Sequence, residues 1–170
     1  MPMPLDDPRW SLLNTAYENT AELVDYLRQA YAEGLQQDLL GEIMNQACHQ
    51  GDSSTAMYAV PAHLLELAWA TEEPFRTEVI IYAGMIYGNA CQPNAPACPD
   101  FLRDDFEVTR EPLLEAMRGS LTGELDFYDL KYRFVAIAGL VGHGRFGEVI
   151  EGIEFHKDRF YHNGWDEPIR

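Results

Sequence analysis

A chain of 170 residues, 46% hydrophobic and 24% charged, has the composition of one folded domain with a sizeable core, which excludes an intrinsically disordered chain. Its 28 acidic residues outnumber 12 Lys and Arg, and the resulting net charge of −16 repels nucleic-acid phosphates and anionic membranes while attracting basic proteins. The acids are unevenly spread: residues 1–85 hold 13 of them against three bases, and between Gln29 and Phe75 seven acids meet no Lys or Arg.

The opening residues, MPMPLDDPRW, lack a basic stretch followed by an apolar one, so no signal peptide is predicted. Asp6 or Asp7 can cap a short helix that starts at Pro8, with Trp10 and Leu13 inward and Leu12 or Tyr17 beside them. In NTAELVDYLRQAYAEG, Asn19 or Thr20 is the cap, Leu23, Val24, Leu27, Ala30 and Tyr31 form one apolar stripe, and Gly34 is the stop. The next helix, LQQDLLGEIMNQACHQG, sets Leu35, Leu39, Leu40, Ile43, Met44 and Ala47 on one face and Asp38, Glu42, Asn45 and His49 on the other. Gly51 ends it, Asp52, Ser53 or Ser54 caps the following helix, and Pro61 predicts a kink or a late start there.

The segment EPFRTEVIIYAGMIYGNA is apolar nearly all round from Val79 to Ile86 and predicts a central, buried helix. Three prolines in CQPNAPACPD mark an irregular insertion, bounded at 90–104. Further on, DDFEVTREPLLEAMRGSL reads as helical near its end, with Leu113, Leu114, Met117 and Leu121 inward. A second apolar helix follows in LDFYDLKYRFVAIAGLVGHG, then a shorter one with Phe146, Val149, Ile150 and Ile153 on one side. The tail, 156–170, reads as irregular, and no stretch alternates long enough to predict a strand. Phe134–Gly142, the longest apolar run, is too short to span a bilayer. The elements pair over 7–33, 35–69, 73–118 and 125–155. The predicted fold is all-α, a single domain over 1–170: an α-solenoid of about four antiparallel helical hairpins of HEAT or armadillo type.

Chemistry-bearing motifs are weak. Cys48, Cys91 and Cys98, an odd number without a signal peptide, predict reduced thiols and a cytoplasmic setting. Cys48 could pair with a distant His63 or His143, but it sits at a helix C-terminus, whose negative dipole end disfavours a thiolate. The spacing of Glu42, Asn45 and His49 is not that of a metal site, and Cys91-x6-Cys98 is wider than a zinc knuckle. Ser53–Ser54 follows no strand and forms no nucleophile elbow. The glycines of GLVGHGRFGE read as a turn between helices rather than a phosphate cradle.

The stretch Ala47–Ala68, ACHQGDSSTAMYAVPAHLLELA, resembles a pattern found in bacterial proteins with degenerate HEAT-like helices, close to HQG(T/S)xYxATxAVPxLLxL. His49, Gln50, Gly51, Ala56, Ala59, Val60, Pro61, Leu64, Leu65 and Leu67 match it; Ser54 stands for a Tyr and Met57 for a Thr. The Pro-rich insertion lies outside the pattern, and the resemblance spans about residues 8–155. It implies a helical repeat scaffold of the kind that serves as an immunity protein beside secreted or polymorphic bacterial toxins.

The expected function is therefore immunity: binding a cognate protein toxin that is basic around its active site and occluding it, with no chemistry of its own and no cofactor. The expected partner-binding residues are Asp38, Glu42, Asp52, Glu66, Trp69, Glu72, Glu73, Asp100, Asp104 and Asp105, with Trp69 as an aromatic anchor. Nucleic acid and membrane are not expected partners. The alternatives are a HEAT-like adaptor for another protein and, from a different class, a metal-dependent hydrolase using Glu42, His49 or His143.

Overall fold

The structure is a computed structural model that describes residues 2–17, 19–49, 54–122, 125–156 and 159–162. A 3-10 turn, Pro8–Leu12, leads into α1 (Thr20–Glu33) and α2 (Gln37–Ala47). A second 3-10 turn, Thr55–Tyr58, leads into α3 (Val60–Trp69), then α4 (Phe75–Ala90). A third, Asp100–Leu102, runs into α5 (Arg103–Gly119), followed by α6 (Phe127–Leu140) and α7 (Gly144–Glu151). Strands β1 (Ile153–His156) and β2 (Arg159–His162) pair antiparallel, Ile153 opposite His162. The described residues are all-α apart from this strand pair.

Local chemistry sets the element ends. Asp7 accepts a hydrogen bond from the Arg9 backbone N–H, with Pro8 in the first turn. Asn19 and Asp126 accept from the N–H groups of Glu22 and Asp129 at the starts of α1 and α6. Gly34, at φ +86°, ends α1 in a conformation that a side chain would strain. Pro61 gives the late start: the preceding turn is 3-10, and α3 begins at Val60 with Pro61 in its first turn, where no N–H is needed.

The core gathers on α4, which packs against α2, α3, α5 and α6. Leu23, Leu27, Leu40, Ile43, Val60, Leu64, Ile86, Leu113 and Met117 are fully buried. The α4–α6 crossing is the tightest. A Cβ on Gly139 would stand 2.3 Å from the Gly88 Cα, and one on Gly84 2.8 Å from the Ala136 Cβ. Glycine allows the two backbones to touch there.

Several expectations need correction. The irregular insertion is shorter than 90–104: α4 runs to Ala90, and Asp100 and Asp104 are already in helical turns. The helix α5 spans Arg103–Gly119, with Pro112 inside it on the solvent side, where the missing N–H and the ring are tolerated. Ser54 does not cap the next helix; its hydroxyl donates to the Ala47 carbonyl at 2.7 Å and closes the end of α2 instead. His49 turns to the Tyr17 hydroxyl, 2.8 Å from its Nδ1. Leu12 and Tyr17, the alternatives expected beside Trp10 and Leu13, are both exposed, as is Tyr31 of the α1 stripe. Ile153–His156 and Arg159–His162, expected without a strand and in part irregular, form the paired strands. On α7, Phe146 and Val149 of the apolar side are 63% and 49% exposed.

Candidate functional site

A concave cleft of about 760 Å³ opens between α2, α4, α6 and α7. Three carboxylates line it, one per helix: Glu78 from α4, Asp129 from α6 and Glu151 from α7. Phe75, Tyr82, Tyr132 and Met85 supply an aromatic and thioether wall. The α2 residue Gln37 donates its side-chain amide to Glu78 Oε1 at 2.5 Å and so orients that carboxylate. Burial, then the charge of Glu78, raises the Tyr82 hydroxyl above its ordinary pKa, which keeps it a neutral hydrogen-bond donor.

Arg133 is the cation among the described residues lining the cleft, and its charge is used internally. It is 6% exposed; Nη1 donates to the Asp129 carbonyl at 2.7 Å and to Asp129 Oδ1 at 3.2 Å, and Nε donates to the Ser120 carbonyl at 3.2 Å. The cleft therefore presents negative charge beside aromatic faces. That pairing suits a lysine or arginine side chain, held by a carboxylate and stacked on Tyr82 or Tyr132.

Arg133 and Thr77 also line a second cleft, of about 650 Å³, beside Trp69, Glu73, Ile80 and Glu115. Trp69 is 58% exposed on its rim. Glu73 is held by the Thr77 hydroxyl at 2.8 Å and lies 4.0 Å from Arg76. Trp69 and Glu73, both expected partner-binding residues, thus line one cleft, and Glu72 is exposed next to Glu73 in the chain.

The other expected residues do not join this region. Asp38 and Glu42 sit exposed on the outer face of α2. Glu66 is exposed on α3 beside Tyr31, whose hydroxyl is pushed up first by burial and then by that carboxylate. Asp100 pairs with Arg103 at 2.6 Å. Asp104 is exposed on α5, and half-buried Asp105 lies near Arg9, whose guanidinium it supports after Asp7. Asp52 lies outside the described residues.

Glu78, Asp129 and Glu151 escape the sequence reading because each stands near bases or apolar residues in the chain rather than in an acidic run. A signal was present. Glu78 precedes Tyr82 by one helical turn, and Asp129 precedes Tyr132 likewise, so each helix sets an acid and a tyrosine on one face.

Among the described residues, no group of three or more His, Cys, Asp and Glu side chains is placed to hold a metal ion; Glu42, His49 and His143 belong to no such group. Cys48 Sγ accepts a hydrogen bond from Asn89 Nδ2 at 3.0 Å, while His49 is with Tyr17. No described helix is long and apolar enough to cross a membrane. No protein-family model matches the chain, and no curated protein or solved structure gives a significant match to it.

Proposed function

We propose that this chain is an immunity-type scaffold that binds a basic protein toxin and occludes its active site, with the acidic, tyrosine-lined cleft as the contact region. The observation that carries the reading is three carboxylates from three helices around one cleft whose arginine is buried and paired within the molecule. A field of −16 would speed the encounter with a cationic active site, and the carboxylates would stand where that site holds substrate phosphates. Trp69, Glu72 and Glu73 on the adjoining rim would extend the contact. The scaffold would be an α-solenoid of four hairpins in the bacterial cytoplasm. Its support is that α1 packs on α2, α3 on α4 and α6 on α7, each pair consecutive in the chain.

The test is co-purification with the product of the adjacent gene, followed by association kinetics at two salt concentrations. Reversing Glu78 and Asp129 together to Lys should slow association at low salt by about tenfold or more, with the gap closing at high salt. An unchanged low-salt rate would refute the cleft, and a partner without toxicity would refute immunity.

A further inference from the structure

We propose that Cys91 and Cys98 are a redox pair: Cys91 takes up a small anionic thiol of the glutathione class as a mixed disulfide in the cleft at the start of α7, and Cys98 displaces it to close the loop after α4 with an internal disulfide. No disulfide joins the three cysteines. Cys91 caps the C-terminus of α4, and Cys98 stands just ahead of the turn Asp100–Leu102, with six residues between the two thiols. The Tyr58 hydroxyl ties the limbs of this loop together, 3.0 Å from the Ala90 carbonyl and 2.6 Å from that of Pro96. Across its tip the Ala95 N–H donates to the Gln92 carbonyl at 3.0 Å. The thiols are brought near enough for the charge of Cys91 to act on Cys98, and both act on the phenols of Tyr58 and Tyr87. Cys98 donates to the Pro99 carbonyl at 3.6 Å, a weak bond that yields readily to a new partner.

Cys91 is the exposed thiol; Cys48 and Cys98 are half-buried. It opens onto a cleft of about 400 Å³ lined also by Gln92, His143, Gly144 and Arg145, and by no carboxylate. Gln92 seats the loop on the start of α7: a Cβ on Gly144 would stand 2.4 Å from its Nε2, and the glycine leaves the room. On a chain of net charge −16 this cleft is a local exception. Arg145 is in no ion pair among the described residues. Burial raises the Cys91 thiol, and Arg110 of α5 draws it back down. A disulfide that carries carboxylates is drawn to Arg145, and the thiol it meets first is Cys91. Cys48 does not line this cleft, and its sulfur accepts from Asn89.

The oxidant is a disulfide such as oxidised glutathione. The Cys91 thiolate attacks one of its sulfurs; that S–S bond breaks, a Cys91–glutathione disulfide forms, and one glutathione leaves and takes a proton from water. Cys98 loses its proton to water and attacks the Cys91 sulfur, which releases the second glutathione. Two protein thiols are oxidised, and one disulfide is reduced to two thiols. The second step is intramolecular over a short loop, which favours closure over a lasting adduct. Burial raises both thiols, so both steps quicken as the pH rises. The new bond ties the end of α4 to the entry of α5.

The experiment is incubation of the full chain with oxidised glutathione, read by intact mass and peptide mapping. The product should be lighter by two hydrogens, with Cys91 linked to Cys98 and Cys48 still titrating as a thiol. Cys98→Ser should stop at a glutathione adduct on Cys91, and Cys91→Ser should take up glutathione about tenfold more slowly. Arg145→Glu, at an exposed position, should slow the reaction with oxidised glutathione about fivefold at low salt and leave that with uncharged hydroxyethyl disulfide unchanged. A lasting adduct on the native chain, a bond to Cys48 or between two chains, or three unreacted thiols would overturn the proposal. So would an Arg145→Glu variant that reacts with both disulfides at the native rates, or is slowed equally toward both, because the cleft would then play no part in drawing the anionic thiol.

Discussion

The N-terminal helices α1 to α3 and the later helices α6 and α7 are written in the same language of apolar residues at three- and four-residue spacing, yet they end differently. In α1, α2 and α3 the stripes meet one another: Leu23, Leu27, Leu40, Ile43, Val60 and Leu64 are closed off from solvent. Over residues 127–151 one stripe is satisfied by α4, through Ala136, Gly139 and Leu140, while a second one, through Leu130, Phe134, Val141 and Phe146, remains open among the described residues. Amphipathic spacing says that a face will be covered. It does not say that the cover belongs to the same chain.

The sharpest way to break this contrast is to truncate one residue on each side of it. Ile43→Ala removes a fully buried side chain from between packed helices and should cost about 4 kcal/mol in urea unfolding. Phe146→Ala removes a larger side chain from the open groove and should change stability by no more than about 0.5 kcal/mol. A comparable loss at both positions would mean that the groove is closed in solution, and the two regions would no longer differ.

The junction between the regions is the next place to press. Gly139 and Gly88 bring α6 and α4 into backbone contact, so the methyl of Gly139→Ala meets main chain that cannot swing aside. We expect a loss of about 3 kcal/mol, at the upper end of overpacking effects. Hydrogen exchange should show amides of α6 and α7 losing protection before those of α1 to α3. Uniform loss across the seven described α-helices would show that α6 and α7 are not a separable layer.

The helices were legible because their signals are local. Asp7, Asn19, Gly34 and Pro61 act on groups within a few residues, and the all-round apolar run of α4 places it at the centre without reference to its neighbours. The β1–β2 hairpin was not legible: four-residue strands are too short for alternation to register. The reach of Ser54 back to Ala47, rather than forward into α3, depends on a turn geometry that propensity does not contain. The acidic cleft was illegible for a different reason. Glu78, Asp129 and Glu151 are separated by more than twenty residues at each step, so only the packing of α4, α6 and α7 brings them together. Counting acids along the chain selects Asp38 and Glu42, which share a helix face but no cleft with these three. Trp69 and Glu73, also singled out in the sequence, line the other cleft.

The closed N-terminal region carries a polar cost at His63 that pH exposes. His63 is buried between α1 and α3, with its Nδ1 3.1 Å from the Tyr31 hydroxyl, the Trp10 ring beside it, and Nε2 without a hydrogen-bond partner among the described residues. Burial lowers its pKa from 6.5 to about 4, and the nearby Met3 backbone offsets part of that. Between those values the unfolded chain binds a proton that the folded chain refuses, so stability falls as pH drops below 6.5 and the loss is complete near 4. By pH 5 it should reach about 2 kcal/mol. The Asp7 carboxyl, lowered to about 2 by Arg9, loses its contribution only at more acidic pH, so the two windows separate. Urea midpoints of the native chain and of His63→Phe, compared from pH 7.5 to 4.5, isolate the effect: the variant should lose the steep part of the acid slope. Parallel slopes would mean that His63 takes up its proton in the folded state and that this corner of the core is open to water, as the α6–α7 face is.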